Sequence, residues 1–145
     1  ITEWTARGLD VATIKHAHHE FEADTPGKDS WRHREAGARQ VLVSSAIRSA
    51  HFVEHKTTEP ALAQLLNRLL PCDLVLIEGF KREVVPKMEI FRAEVGKPHL
   101  YTEDNQIIAV ASDSKVPDCP LPVLDLNDIP TIADFVLQVV GLSSR

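Results

Sequence analysis

Asp73-Leu74-Val75-Leu76-Ile77-Glu78 is the stretch on which the fold turns. Four consecutive apolar residues bounded by acids predict a strand covered on both faces, as in a parallel sheet flanked by helices. Just upstream, Pro60 at a first helical position opens an expected helix over residues 60–70, with Leu62, Leu65, Leu66, Leu69 and Leu70 on one face. Downstream, residues 87–92 and 106–111 read as strands and residues 122–126 as a short last strand. Asn127 or Asp128 then caps a C-terminal helix with Pro130 in its first turn and Gly141 at its end.

The beginning of the chain obeys the same alternation. Residues 1–8 read as the tail of a helix closed by Gly8 in the left-handed conformation. Residues 9–15 alternate as a strand, and 16–28 form a polar loop. Asp29 is expected to cap a helix through about Ala38, and strands follow at 40–45 and 49–54. Strands alternating with helices predict one three-layer α/β domain over residues 1–145, built on a mainly parallel sheet. Ligands of such sheets sit beyond the carboxyl ends of the strands.

Composition narrows the function. The net charge of −5 argues against a general nucleic-acid binder, which needs clustered Lys and Arg. No apolar run reaches the ~18–20 residues that span a bilayer, and no signal-peptide pattern opens the chain, so a cytoplasmic setting is expected. Cys72 and Cys119 read as two buried thiols. The six glycines, at 8, 27, 37, 79, 96 and 141, are too sparse for either the P-loop or the dinucleotide fingerprint.

Chemistry concentrates at three strand ends. The first strand runs into Lys15, His16, His18 and His19, followed by Glu20, Glu22, Asp24, Lys28, Asp29 and Ser30. Three readings are open for this loop: a solvated polar loop, a histidine metal site, or a magnesium–phosphate site with Lys15 and Lys28 as donors and Asp24 or Asp29 as oxygen ligand. Glu78 ends the apolar strand where nucleoside triphosphatases hold magnesium and its waters. Gly79 permits close backbone approach there, and Lys81 or Arg82 can meet phosphate oxygens. The third end is Ser112-Asp113, either a plain turn or an acceptor for the exocyclic amine of a purine.

Taken together, residues 14–19 and 24–30, the Arg34-Glu35-Ala36-Gly37-Ala38 run, residues 73–81, residues 108–113 and the tail around 126–136 resemble one family, in order and over nearly the whole chain. That family is molybdopterin-guanine dinucleotide biosynthesis protein B (MobB). The resemblance implies a P-loop NTPase-like fold, magnesium-dependent GTP binding with weak GTPase activity, and a dimeric accessory to the partner (MobA) that attaches GMP to molybdopterin. It assigns Glu78 to the acidic end of the Walker B strand, residues 24–30 to a switch-like segment facing the phosphates, and Asp113 to the neighbourhood of the base pocket. It further implies that a glycine-rich strand and loop should precede Ile1, so these 145 residues alone are expected to bind GTP poorly in a calorimetric titration. Two alternatives to a GTP-binding protein remain open at this point: a non-enzymatic docking module for a cofactor-synthesis enzyme, and a metal-handling protein using His16, His18 and His19.

Overall fold

The computed structural model describes residues 1–17, 21–56 and 58–142. Its elements are α1 (Thr2–Ala6), β1 (Val11–Lys15), α2 (Asp29–Glu35), β2 (Gln40–Ser44), β3 (Ser49–Val53), α3 (Leu62–Leu66), β4 (Leu74–Glu78), β5 (Lys87–Phe91), β6 (Ile107–Ser112), β7 (Val123–Asp125) and α4 (Ile129–Val140). They fall into two compact units, residues 1–14 with 69–145, and residues 15–68.

In the first unit β1 pairs with β4, and β5, β6 and β7 form a parallel sheet in that order. β6 is its most deeply buried strand: Ala109, Val110 and Ala111 are wholly excluded from solvent. Small side chains there let covering groups approach the sheet closely. Trp4, Leu9, Leu74, Ala133 and Leu137 make a second apolar cluster that joins α1 and α4 to β4. Both helices end as their glycines require. Gly8 (φ 78°) and Gly141 (φ 70°) adopt the left-handed conformation, which costs glycine little and other residues more. At the other end of α4 the Asp128 carboxylate accepts from the Thr131 N–H at 3.2 Å, the expected cap, with Pro130 in the first turn.

Several expectations need correction. α2 begins at Asp29 itself, after Lys28 in extended conformation, and no side chain among the described residues caps it; it ends at Glu35 rather than near Ala38. The helix expected over 60–70 shrinks to α3, one turn and a half. Only its first leucine, Leu62, is buried, while Leu66 and Leu70 are exposed. An apolar stripe holds a helix together only when something covers it, and short isolated helices are marginal in water. At its start the Gln64 side-chain oxygen accepts from the Ala61 N–H at 3.0 Å. β4 is not covered on both faces either: Leu74 is buried, but Leu76 and Glu78 are exposed. The two cysteines are free and half-buried rather than buried.

Acid should loosen the first unit through named carboxylates. The Lys87 ammonium (2.9 Å), then the Gln106 N–H, hold the Asp104 carboxyl below its ordinary value. Thr131, by hydroxyl and then by backbone, does the same to Asp128. A carboxylate whose pKa is depressed on folding stabilises the fold above its unfolded value and loses that contribution as pH falls through the folded value. Urea midpoints taken between about pH 5 and pH 2 should therefore fall, and Asp104→Asn should flatten part of that slope. An unchanged slope in the variant would remove Asp104 from the account.

Candidate functional site

The 15–68 unit carries the polar loop. Asp24 is at its centre: its Oδ1 accepts from the Ser30 hydroxyl at 2.9 Å and from the Thr25 N–H at 2.8 Å. Its Oδ2 is buried with no hydrogen-bond partner among the described residues. A buried carboxylate oxygen in this condition is costly unless something completes it, and a cation or a cation-bound water is the fitting complement. Lys28 and Asp29 are exposed at the start of α2, the Lys28 N–H donating to the Thr25 carbonyl at 3.2 Å. Lys15 is exposed at the end of β1, and His16 lies 2.7 Å from the Glu59 carboxylate.

The loop is tied down by Arg34, which entered the sequence reading only within the run 34–38 that carries the family resemblance. Arg34 donates to Glu22 Oε2 at 2.6 Å, lies 3.9 Å from Glu54, and sets its guanidinium 5.2 Å from the Phe52 ring centroid. The other Glu22 oxygen accepts from the Asp24 N–H at 2.8 Å. Those two contacts, the Asp24 amide first, hold the Glu22 carboxyl below its ordinary value, and Glu22 in turn raises Arg34. Glu22 and Arg34 are twelve residues apart, with no helical or strand periodicity linking them, so nothing local in the sequence announces the pair.

The other unit carries the second set. Glu78 is exposed at the carboxyl end of β4, and Lys81 is exposed just beyond it. Between them Gly79 (φ 88°) and Phe80 (φ 49°) are both left-handed. For glycine this is easy. For phenylalanine it is rare, and such outliers gather at functional sites. The sequence signalled Gly79 but gave no sign of Phe80. Asp113, at the end of β6, spends one oxygen on the Ala93 N–H at 3.0 Å and so helps hold the short 3-10 turn Ala93–Val95.

The structure thus joins Asp24 directly to Ser30, and places Lys28 and Asp29 in the short segment between them. Glu78, Gly79 and Lys81 form one turn, and Asp113 is engaged with its own neighbourhood. Of the histidine metal set, His18 and His19 lie outside the described residues, as does Glu20. Among the described residues no group of three or more His, Cys, Asp or Glu side chains could hold a metal ion. A surface hollow lined by His33, Ala36, Ala38, Gln40, Val41 and Leu42 contains none of the residues expected at the site.

Known proteins share both the sequence and the architecture. The chain is 44% identical over 140 residues to the molybdopterin-guanine dinucleotide biosynthesis adapter protein of Haemophilus influenzae, covering 94% of this chain and 76% of that protein. With the Escherichia coli adapter protein it shares 40% over 137 residues, covering 92% and 78%. Among solved structures, Bacillus subtilis MobB superposes with a TM-score of 0.73 at 28% identity, covering 99% of this chain and 86% of that one. A crystal structure of molybdopterin-guanine biosynthesis protein B gives 0.71 at 26%, covering 94% and 84%. The α/β, P-loop NTPase-like fold expected from the sequence is therefore the observed one. Residues 1–113 match the family described as MobB, molybdopterin guanine dinucleotide synthesis protein B, and the chain belongs to that family.

Proposed function

We propose that this protein is a cytoplasmic, guanine-nucleotide-binding adapter of molybdopterin-guanine dinucleotide biosynthesis, acting beside a MobA-like guanylyltransferase. The adapter role rests on family membership and on relatives of that description over more than nine-tenths of the chain. For nucleotide binding, the observation that carries the reading is the Glu78-Gly79-Phe80 turn, an acid at a strand end followed by two left-handed residues. A left-handed phenylalanine is uncommon, and such backbone outliers gather at functional sites.

Each residue then has a role. In the 15–68 unit Lys15 and Lys28 would neutralise phosphate charge, with His16, Asp29 and Ser30 as polar groups of the same unit; in the other unit Lys81 would do so beside Gly79. Asp113 keeps a carboxylate oxygen beyond the one given to Ala93, which suits a purine amine. Asp24 Oδ2 fits the demand for a magnesium ligand, and Glu78 would hold a metal-bound or attacking water. Magnesium, when bound, supplies positive charge to the phosphates. Leu42, Val43 and Ile47, exposed on and beside the β2–β3 hairpin, support a homodimer or partner contact through that hairpin, since large apolar side chains held in water favour being covered. Among the described residues no helix is long and apolar enough to cross a membrane.

The test is a GTP titration of the full-length protein with and without magnesium, followed by the hydrolysis rate of Glu78→Gln. Binding is expected to require magnesium. The variant should lose roughly tenfold in hydrolysis, the worth of about 1.4 kcal/mol of transition-state interaction. Absence of GTP binding would remove the nucleotide reading, and unchanged hydrolysis would remove Glu78 from it.

A further inference from the structure

Arg34 is a cation withdrawn from water, its side chain only 13% exposed, and the phosphate roles proposed above do not use it. It touches both the polar loop and the β2–β3 hairpin region. On the loop side it holds Glu22 (2.6 Å), whose other oxygen holds the Asp24 amide (2.8 Å). On the hairpin side its guanidinium lies 5.2 Å from the Phe52 ring centroid and 3.9 Å from the carboxylate of Glu54, the residue after β3. Every link is charge-assisted or made to the guanidinium face, and a planar guanidinium cannot turn toward one partner without turning from the others. Two atoms of this chain of contacts are left incomplete: Arg34 Nε and Asp24 Oδ2 are both buried without a hydrogen-bond partner among the described residues. An unsatisfied buried atom is costly, so a chain of contacts holding two of them shifts when one gains a partner.

From this we infer that Arg34 is a positioning residue that couples the Asp24–Ser30 loop to the β2–β3 hairpin, so that filling the loop alters the hairpin surface. The inference rests on the nucleotide reading for what fills the loop, but not for the coupling itself. A cation or its water on Asp24 Oδ2 would redirect the Asp24 carboxylate, and with it the amide that Glu22 holds. Arg34 would carry that movement to Phe52 and Glu54. Phe52 pairs with Val41 across the hairpin, whose Val43 and tip residue Ile47 (93% exposed) are apolar and in water, so the output reaches exposed apolar groups.

Amide hydrogen exchange on the full-length protein tests this in two arms. Without nucleotide, Glu22→Gln should speed exchange of amides 50–54 by roughly threefold in the otherwise native protein. It should have no further effect in Arg34→Met, which keeps the long apolar stem beside Phe52. Arg34→Lys should restore part of the effect, because the charge returns without the fork. With GTP and magnesium, the native protein should gain protection at both 22–30 and 50–54, whereas Arg34→Met should gain it only at 22–30. Additive effects of Glu22→Gln and Arg34→Met, or an undiminished hairpin response in Arg34→Met, would overturn the coupling. Non-additivity without nucleotide, combined with no response to GTP in the native protein, would support the coupling while sinking the nucleotide reading.

Discussion

Trp4→Ala is expected to destabilise the protein by about 3–5 kcal/mol, the usual cost of removing a large buried aromatic side chain. Trp4 is 6% exposed and packs with Leu9, Leu74, Ala133 and Leu137. Its indole Nε1–H donates to the Ala133 carbonyl of α4 at 3.2 Å. The helix that carries it is only five residues long, too short to persist without that contact. An ion pair from Arg7 to Asp134 joins the same two helices, but Asp134 is largely exposed, and a pair in water contributes little. Losing Trp4 therefore empties the space between α1 and α4 and leaves α1 without its main anchor. Trp4→Phe separates the two contributions: it keeps most of the ring packing and gives up the hydrogen bond, for about 1 kcal/mol. Urea unfolding followed by far-ultraviolet circular dichroism measures both. A loss below about 1 kcal/mol in Trp4→Ala would mean that α1 is not held by this cluster.

Glu89→Ala should cost about 2–5 kcal/mol, from two orphaned backbone donors and the void left by the side chain. The Glu89 side chain, on β5, is 3% exposed, which for a carboxylate demands compensation. The compensation is a loop folded around it: Oε1 accepts from the Leu100 N–H at 2.8 Å and Oε2 from the Tyr101 N–H at 3.0 Å. His99 stacks on Phe91 at 3.9 Å between ring centroids, and its Nδ1 lies 3.6 Å from Glu89. Burial, then Cys119, pushes the neighbouring Tyr101 hydroxyl up. Glu89→Gln keeps one acceptor oxygen but turns an amide NH2 toward the second N–H, so it should fall between native and alanine. Thermal unfolding ranks the three, and limited proteolysis should open residues 97–103 first. A neutral Glu89→Ala would show that the carboxylate does not anchor this loop. The loop bears on the candidate site because Glu89 and Asp113 fasten the two ends of the segment that follows β5.

Both residues mark where sequence reading reached its limit. Gly8, Gly141, Asp128 and Pro130 were legible, because a helix end is decided within four residues by backbone conformation and one cap. The β-strands were legible to within a residue or two, since alternation and apolar runs are local too. Over 60–70 the apolar periodicity was misleading. It recorded that a leucine stripe exists, whereas helix length depends on what covers the stripe, and Leu66 and Leu70 remain in water.

For the candidate site, the residue types were legible and their engagements were not. The sequence by itself determined the family, the alternation of strands and helices, and the presence of Asp24, Glu78 and Asp113 at or near strand ends. Tertiary structure alone decided that one oxygen of Asp24 is spent on Ser30 and the other left without a hydrogen-bond partner among the described residues, and that Asp113 serves Ala93. It also decided that Glu22 and Arg34 lock together across twelve residues, that Phe80 takes a left-handed backbone, and that Trp4 finds α4 at the far end of the chain. The physical reason is range. Caps, turns and periodicity are written in neighbouring residues, whereas the partner of a buried charge or an indole N–H is whichever group the completed fold brings within three ångströms.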